Sequence, residues 1–63
     1  MKLSDEQIKD VMGMATYYIE HDKGYDQFNK DIKQAFPAKY GTKIYWRNAQ
    51  SLYYKAKKEI DDE

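Results

Sequence analysis

Several residue types and patterns are missing from this sequence, and each absence excludes a class of protein. There is no cysteine, which rules out disulfide bridges, zinc sites built on thiolates and cysteine nucleophiles. The start, MKLSDEQ, lacks the apolar run of a signal peptide, and no apolar stretch approaches the roughly 20 residues of a membrane span. We therefore expect a cytoplasmic protein that does not associate with membranes.

The usual core residues of globular proteins are few in this sequence, and its net charge is zero. Leu, Ile, Val and Phe total ten of the 63 residues, and eleven basic side chains balance eleven acidic ones. Low aliphatic content combined with a high net charge would indicate disorder, but here the net charge is zero and ten aromatic residues are present. We therefore predict a single folded domain over residues 1–63, in which tyrosines supply much of the core.

The first of three predicted helices covers residues 5–22. Ser4 followed by Gln7 fits a capping box, in which each side chain binds an otherwise unpaired backbone N–H. We expect Gly24 to end the helix in the left-handed conformation. Its apolar stripe, at 3.6-residue spacing, consists of Ile8, Val11, Met12, Ala15, Tyr18 and Ile19.

Two further helices are predicted over residues 26–36 and 43–60. The second begins at Asp26, a good N-cap, and stops at Pro37, because the residue before a proline avoids the helical region. The third follows the connection PAKYGT, with Thr42 as its cap. Its apolar stripe consists of Tyr45, Ala49, Leu52, Tyr53, Ala56 and Ile60, with Trp46 at the edge. Three helices with short connections predict an all-α, compact three-helix bundle of helix-turn-helix-like arrangement.

Charge is segregated along the chain although it sums to zero. Residues 1–29 hold three lysines and six acidic residues, residues 30–58 hold eight lysine or arginine residues and one aspartate, and residues 59–63 hold four acidic residues. The last segment is predicted to be a frayed acidic tail. The basic segment indicates either a solvated face of lysines or a surface for a polyanion.

DNA binding through the third helix is the leading prediction. In helix-turn-helix domains a second helix leads through a turn to a recognition helix in the major groove. Arg47 could bind guanine bidentately and Gln50 adenine, and Ile44, on the rim of the same face, could touch a thymine methyl. The other predicted contacts to bases or phosphates come from Lys39, Lys43, Ser51, Tyr54, Lys55 and Lys58.

Two short stretches and two apolar positions give the chain a loose likeness to known domains. LSDEQI opens the first helix, GY precedes the second, and Ile32 and Ala35 stand where core residues are expected in the second. In these respects residues 3–56 resemble the helix-turn-helix core of bacterial repressors, through generic apolar spacing and without a wing hairpin after the third helix. The resemblance implies a role in transcription regulation and binding as pairs of subunits.

A protein-binding face on the first helix is the alternative. Outside its apolar stripe this helix carries Met14, Tyr17 and His21, with Gly13 beside them. A glycine in a helix interior costs about 1 kcal/mol relative to alanine, which is easiest to understand where another backbone comes close. Met and Tyr are common at interfaces. This face could be the interface of a homodimer, or the surface by which an adaptor or inhibitor docks on a larger enzyme. Alternatively, its residues are scattered surface side chains without a common role.

Catalysis is not indicated by any motif in the sequence. It has no phosphate-binding loop, nucleophile motif or metal-ligand spacing. The single histidine, His21, is near a helix end, where the dipole favours a basic side chain. An acidic terminus explains Asp61, Asp62 and Glu63 better than a metal site does. We therefore expect no enzymatic activity, cofactor, metal or small-molecule substrate.

Overall fold

The computed structural model describes residues 2–62, which form three helices and no strand. The helices are α1 (Asp5–Glu20), α2 (Tyr25–Tyr40) and α3 (Trp46–Asp61), each 16 residues long. The predicted all-α three-helix bundle is confirmed. None of these helices has the length and apolar character needed to cross a membrane.

Contacts between α1 and α2 show that they are antiparallel. Asp10, in the first half of α1, binds Lys39 near the end of α2. Tyr18, near the end of α1, donates a hydrogen bond to Asp31 in the first half of α2. The order of the contacts is reversed along the two helices, so the chain turns back after α1.

The third helix returns in the direction of the first. Leu3, just before α1, lines one groove with Asn48 near the start of α3, and Ile19, at the end of α1, lines another with Lys57 near the end of α3. The helices therefore run up, down and up. α1 packs more extensively against α3 than either packs against α2.

The start of α1 follows the prediction. The backbone N–H of Gln7 donates to Ser4 Oγ at 3.2 Å, and the N–H of Ser4 donates to Gln7 Oε1 at 2.9 Å. Both bonds of the capping box are thus formed. This satisfies two donors that a bare helix N-terminus leaves unpaired.

The turn between α1 and α2 differs from the prediction. α1 ends at Glu20, and the left-handed residue that follows is Asp22, at φ +57°; aspartate tolerates this conformation better than most residues. Gly24, at φ +86°, is the N-cap of α2 rather than the terminator of α1. Asp26 consequently lies in the first turn of α2 and does not cap it.

The end of α2 was also mispredicted, because Pro37 lies inside the helix and does not stop it. A proline in a helix removes one backbone hydrogen bond and crowds the preceding turn, at a cost of about 3 kcal/mol. Packing of the last turn offsets this cost: the ring of Tyr40 lies 4.8 Å from that of Phe36, and its hydroxyl donates to Asp10. The helix ends at Gly41, which is left-handed at φ +70°.

The start of α3 lies three residues later than predicted, at Trp46. Thr42 is therefore not a cap, and the N-cap is Tyr45, whose backbone is extended at φ −70° and ψ 130°. Successive side chains of an extended segment point to opposite sides. Ile44 is accordingly buried and Tyr45 is 47% exposed, so the predictions of Ile44 on the rim of the DNA-binding face and of Tyr45 in the core were both wrong.

The core lies between all three helices and contains no polar or charged residue among those described. Its members are Val11, Ala15, Phe28, Ile32, Phe36, Ile44, Ala49, Tyr53 and Ala56. Tyr18, Tyr25 and Tyr40 are partly buried and pack against it, which bears out the expected use of tyrosine. Ala35, which the repressor likeness placed in the core, is exposed.

Candidate nucleic-acid interface

One side of α3 is exposed along most of its length. It carries Arg47, Ser51, Tyr54 and Lys58, which are spaced by four, three and four residues and so share one side of a helix. Lys55 is also exposed and stands beside this row. We call these five residues the outer face of α3. The buried residues of the helix lie on its other side.

Two other predicted contacts do not belong to the outer face. Gln50 is three residues from Arg47 and four from Tyr54, but it is only partly exposed, so it stands at the edge of the face. Lys43 precedes α3 and lines a groove with Lys33 of α2. The structure therefore adds a second cation beside Lys43 that was not among the predicted site residues.

Lys39 is exposed but already has a partner on another helix. Its ammonium lies 2.5 Å from the carboxylate of Asp10, and Tyr40 donates a hydrogen bond to the same carboxylate. The bond to Asp10 raises the pKa of Lys39, while the bonds from Lys39 and Tyr40 lower the pKa of Asp10. A phosphate group would have to compete with Asp10 for this cation.

An exposed aromatic pair precedes the outer face. Tyr45 and Trp46 are 47% and 50% exposed, and their ring centroids are 6.0 Å apart. The guanidinium of Arg47 lies 5.2 Å from the centroid of the Trp46 ring, within cation–π distance. This cluster was not predicted, because the helical phase was extended back to residue 43. The β-branched and aromatic run in KIYW was the available signal for an extended segment.

Tyr54 is held in place by two other tyrosine rings. Its ring stacks on that of Tyr25, with centroids 5.8 Å apart and planes at 24°, and meets the ring of Tyr53 edge to face at 5.4 Å. Tyr54 nevertheless remains 50% exposed. The outer face therefore has a packed aromatic residue near its middle, in addition to the aromatic pair that precedes it.

The alternative face on α1 is only partly formed as predicted. Tyr17 is 51% exposed, and the ring of His21 lies 4.2 Å from it. Met14 instead packs against the core. Apart from its chain neighbours and the nearby backbone of α1, no described atom comes within 4 Å of the position that a Cβ on Gly13 would occupy. The close approach of another backbone expected at this glycine is therefore not made by the described residues.

The predicted acidic tail, residues 59–63, continues α3 through Asp61, and Asp62 is the C-cap. Glu63 lies outside the described residues. Within residues 2–62 there is no group of three or more His, Cys, Asp or Glu side chains that could hold a metal ion.

Comparison with known proteins gives no relative. No protein-family model, curated protein or solved structure matches the chain. A function can therefore be argued only from the side chains that the fold brings together.

Proposed function

We propose that this protein is a small DNA-binding protein, acting in transcription regulation, which binds duplex DNA through the outer face of α3. One observation carries the proposal: the face is exposed, and the chain has no acidic residue between Asp31 and Glu59. Phosphate neutralisation by Lys and Arg supplies most of the affinity of proteins for DNA. A cytoplasmic location, which the lack of cysteine favours, belongs to the same proposal.

Arg47 is the residue best placed to read a base. It lies in the first turn of α3, and recognition helices contact base edges with their N-terminal residues. Its contact with the Trp46 ring restricts the guanidinium before binding, which reduces the entropy lost when it forms two hydrogen bonds to guanine. Gln50, at the edge of the face, would contact an adjacent base.

The acidic end of α3 sets the orientation of the helix. Glu59, Asp61 and Asp62 are exposed at its C-terminal end and would repel phosphates, so the N-terminal half must enter the groove. Lys55 and Lys58 then reach the backbone at the rim, and Lys43 does so from the connection before the helix. Zero net charge for the whole chain is compatible with this arrangement, because screening confines electrostatic attraction to about 10 Å.

Binding to duplex DNA should weaken steeply as salt is added. If about five phosphates are contacted, the logarithm of the affinity falls with the logarithm of salt concentration at a slope of about −4 to −5. Arg47→Ala should cost about 1–3 kcal/mol and relax base preference at one position. Both are measured by electrophoretic shift or anisotropy with a random duplex pool at several salt concentrations.

Lys9→Ala is the matched control, because Lys9 is an exposed cation on α1, outside the outer face of α3. It should leave affinity and base preference close to those of the original protein, and circular dichroism should show all variants folded. A salt-insensitive interaction, or no binding to any duplex at low salt, would contradict the proposal.

A second candidate function is protein binding through α1, favoured by the exposed Tyr17 in ring contact with His21. The partner proposed is a second copy of the chain, as homodimeric DNA-binding domains require. Sedimentation velocity should then show a dimer at micromolar concentration that Tyr17→Ala converts to monomer, while Tyr54→Ala does not. A monomer at every concentration would contradict it.

A further inference from the structure

The aromatic pair at the start of α3 is not accounted for by contacts with a regular duplex. In paired DNA the flat faces of the bases are stacked on one another, and only their edges are open to side chains. Tyr45 and Trp46 each leave about half of their surface exposed, beside the cation of Arg47. Such rings match the face of a base better than its edge.

We propose that Tyr45, Trp46 and Arg47 form a stacking site for an unpaired nucleotide, so that the protein prefers duplex DNA that carries a single-stranded segment. This inference rests on the proposed function, in which the outer face of α3 holds the adjoining duplex. Aromatic side chains bind unpaired bases of any sequence, because every base has a π face, and arginine adds a cation–π contribution.

The charges around the site favour a nucleic acid over an apolar protein surface. Lys33 and Lys43 line the groove beside Ile44, immediately before the aromatic pair, and Arg47 lies on the other side of Trp46 in sequence. The chain has no acidic residue from position 32 to position 58. An unpaired strand leaving the duplex would thus have cations for its phosphates and rings for its bases, the combination found in single-strand binding sites.

The position of the site relative to α3 gives the order of contacts along the DNA. Arg47 belongs both to this site and to the first turn of the helix, so one residue joins the two surfaces. The duplex would lie along the outer face and the unpaired nucleotide would lie beyond its N-terminal end. The DNA that this protein would bind is accordingly a junction between double- and single-stranded segments.

The test compares three labelled DNAs at one salt concentration: a blunt duplex, the same duplex with a single-stranded extension, and the extension strand alone. Stacking of one base on an aromatic ring should make the extended duplex bind about 5- to 150-fold more tightly than the blunt one. Trp46 is the single tryptophan, so selectively excited tryptophan fluorescence should be quenched by the extended duplex and not by the blunt one.

Variants separate this site from the duplex contacts. Trp46→Ala should remove the preference for the extended duplex while blunt-duplex binding persists, and Trp46→Phe should retain part of it. Lys9→Ala, which changes an exposed side chain on α1 outside the aromatic pair and the outer face of α3, is the control and should keep the full preference. Circular dichroism verifies that each variant is folded.

The outcomes distinguish this inference from the proposed function. Salt-dependent binding of blunt and extended duplexes with equal affinity would overturn the stacking site and leave duplex binding intact. Failure to bind any of the three DNAs would overturn both.

Discussion

Phe28→Ala is expected to remove a large part of the free energy of unfolding of this protein. Phe28 is completely buried, and it contacts aromatic rings from all three helices. Its ring lies 5.9 Å from Tyr18 of α1, 6.4 Å from Tyr25 of α2 and 5.1 Å from Tyr53 of α3. Removing it would leave a cavity at the point where the helices meet.

The size of this effect follows from the size of the domain. Truncating a buried phenylalanine to alanine costs about 3–5 kcal/mol. At about 0.05–0.15 kcal/mol per residue, the whole domain has a free energy of unfolding of about 3–9 kcal/mol. One substitution therefore removes between about a third and all of the total stability. Few other single changes in this chain should have a comparable effect.

Urea and thermal unfolding followed by circular dichroism measure the change. Lys30→Ala is the control on the same helix: Lys30 is exposed, and such surface changes stay within about 0.5 kcal/mol. A Phe28→Ala protein that unfolds cooperatively with the midpoint of the original would show that the three helices are not held together at this ring.

The helices themselves were predictable because the signals that form them are local. Ser4 and Gln7 are three residues apart and form the expected capping box, and Val11, Ala15, Phe28 and Ile32 recur at helical spacing and are buried. Helical periodicity and capping need no knowledge of the tertiary structure. The fold class follows from them directly.

The helix ends that were missed depend on distant contacts. The continuation of α2 past Pro37 is supported by Tyr40, which binds Asp10, thirty residues away. No residue near Pro37 in sequence indicates that contact. The same carboxylate pairs with Lys39, one of the predicted DNA contacts. A sequence pattern shows which residues are cations, but it does not show which of them already have a partner on another helix.

The candidate site was predicted in part for the same reason. Helical spacing alone puts Arg47, Tyr54 and Lys58 on one exposed side, and the structure has them there. Tyr45 was misplaced because the phase of a helix says nothing about residues before its first turn. Because the backbone at Tyr45 is extended and not helical, Ile44 is buried and Tyr45 is exposed, the reverse of the prediction.

Tyrosine rings fill core positions that aliphatic residues occupy in most folds. Two tyrosine hydroxyls also form hydrogen bonds between α1 and α2. Tyr18 donates to Asp31, and Tyr40 donates to Asp10. The hydrogen bond to each aspartate raises the pKa of the tyrosine that donates it. Loss of the phenolic proton would turn each bond into a repulsion between two anions.

Burial has the same effect on the pKa of two further tyrosines as the hydrogen bonds have on Tyr18 and Tyr40. Removal of the ring from water raises the pKa of Tyr25 and of Tyr53 above the ordinary tyrosine value of 10.0. Four of the seven tyrosines in the chain therefore hold their protons more tightly in the folded protein than in the unfolded chain. The fold is built around groups that must stay neutral.

We therefore expect the protein to lose its helices in a cooperative transition above about pH 10. The unfolded chain releases its tyrosine protons first, so this contribution to stability is complete below that pH and is lost as the pH rises through the higher folded-state pKa values. Circular dichroism and tyrosinate absorbance, followed together against pH, should change in the same transition. Tyr53→Phe, which keeps a buried ring but cannot ionise, should move the midpoint to higher pH.

Tyr17→Phe is the control for that variant, since it removes a hydroxyl from an exposed ring and should leave the alkaline midpoint unchanged. If all seven tyrosines ionised while the helix signal stayed constant, the phenolic protons would not be coupled to folding. The contacts of Tyr18 and Tyr40 with their aspartates would then contribute little to holding α1 against α2. Aromatic packing alone, centred on Phe28, would have to account for the stability of a domain so poor in aliphatic side chains.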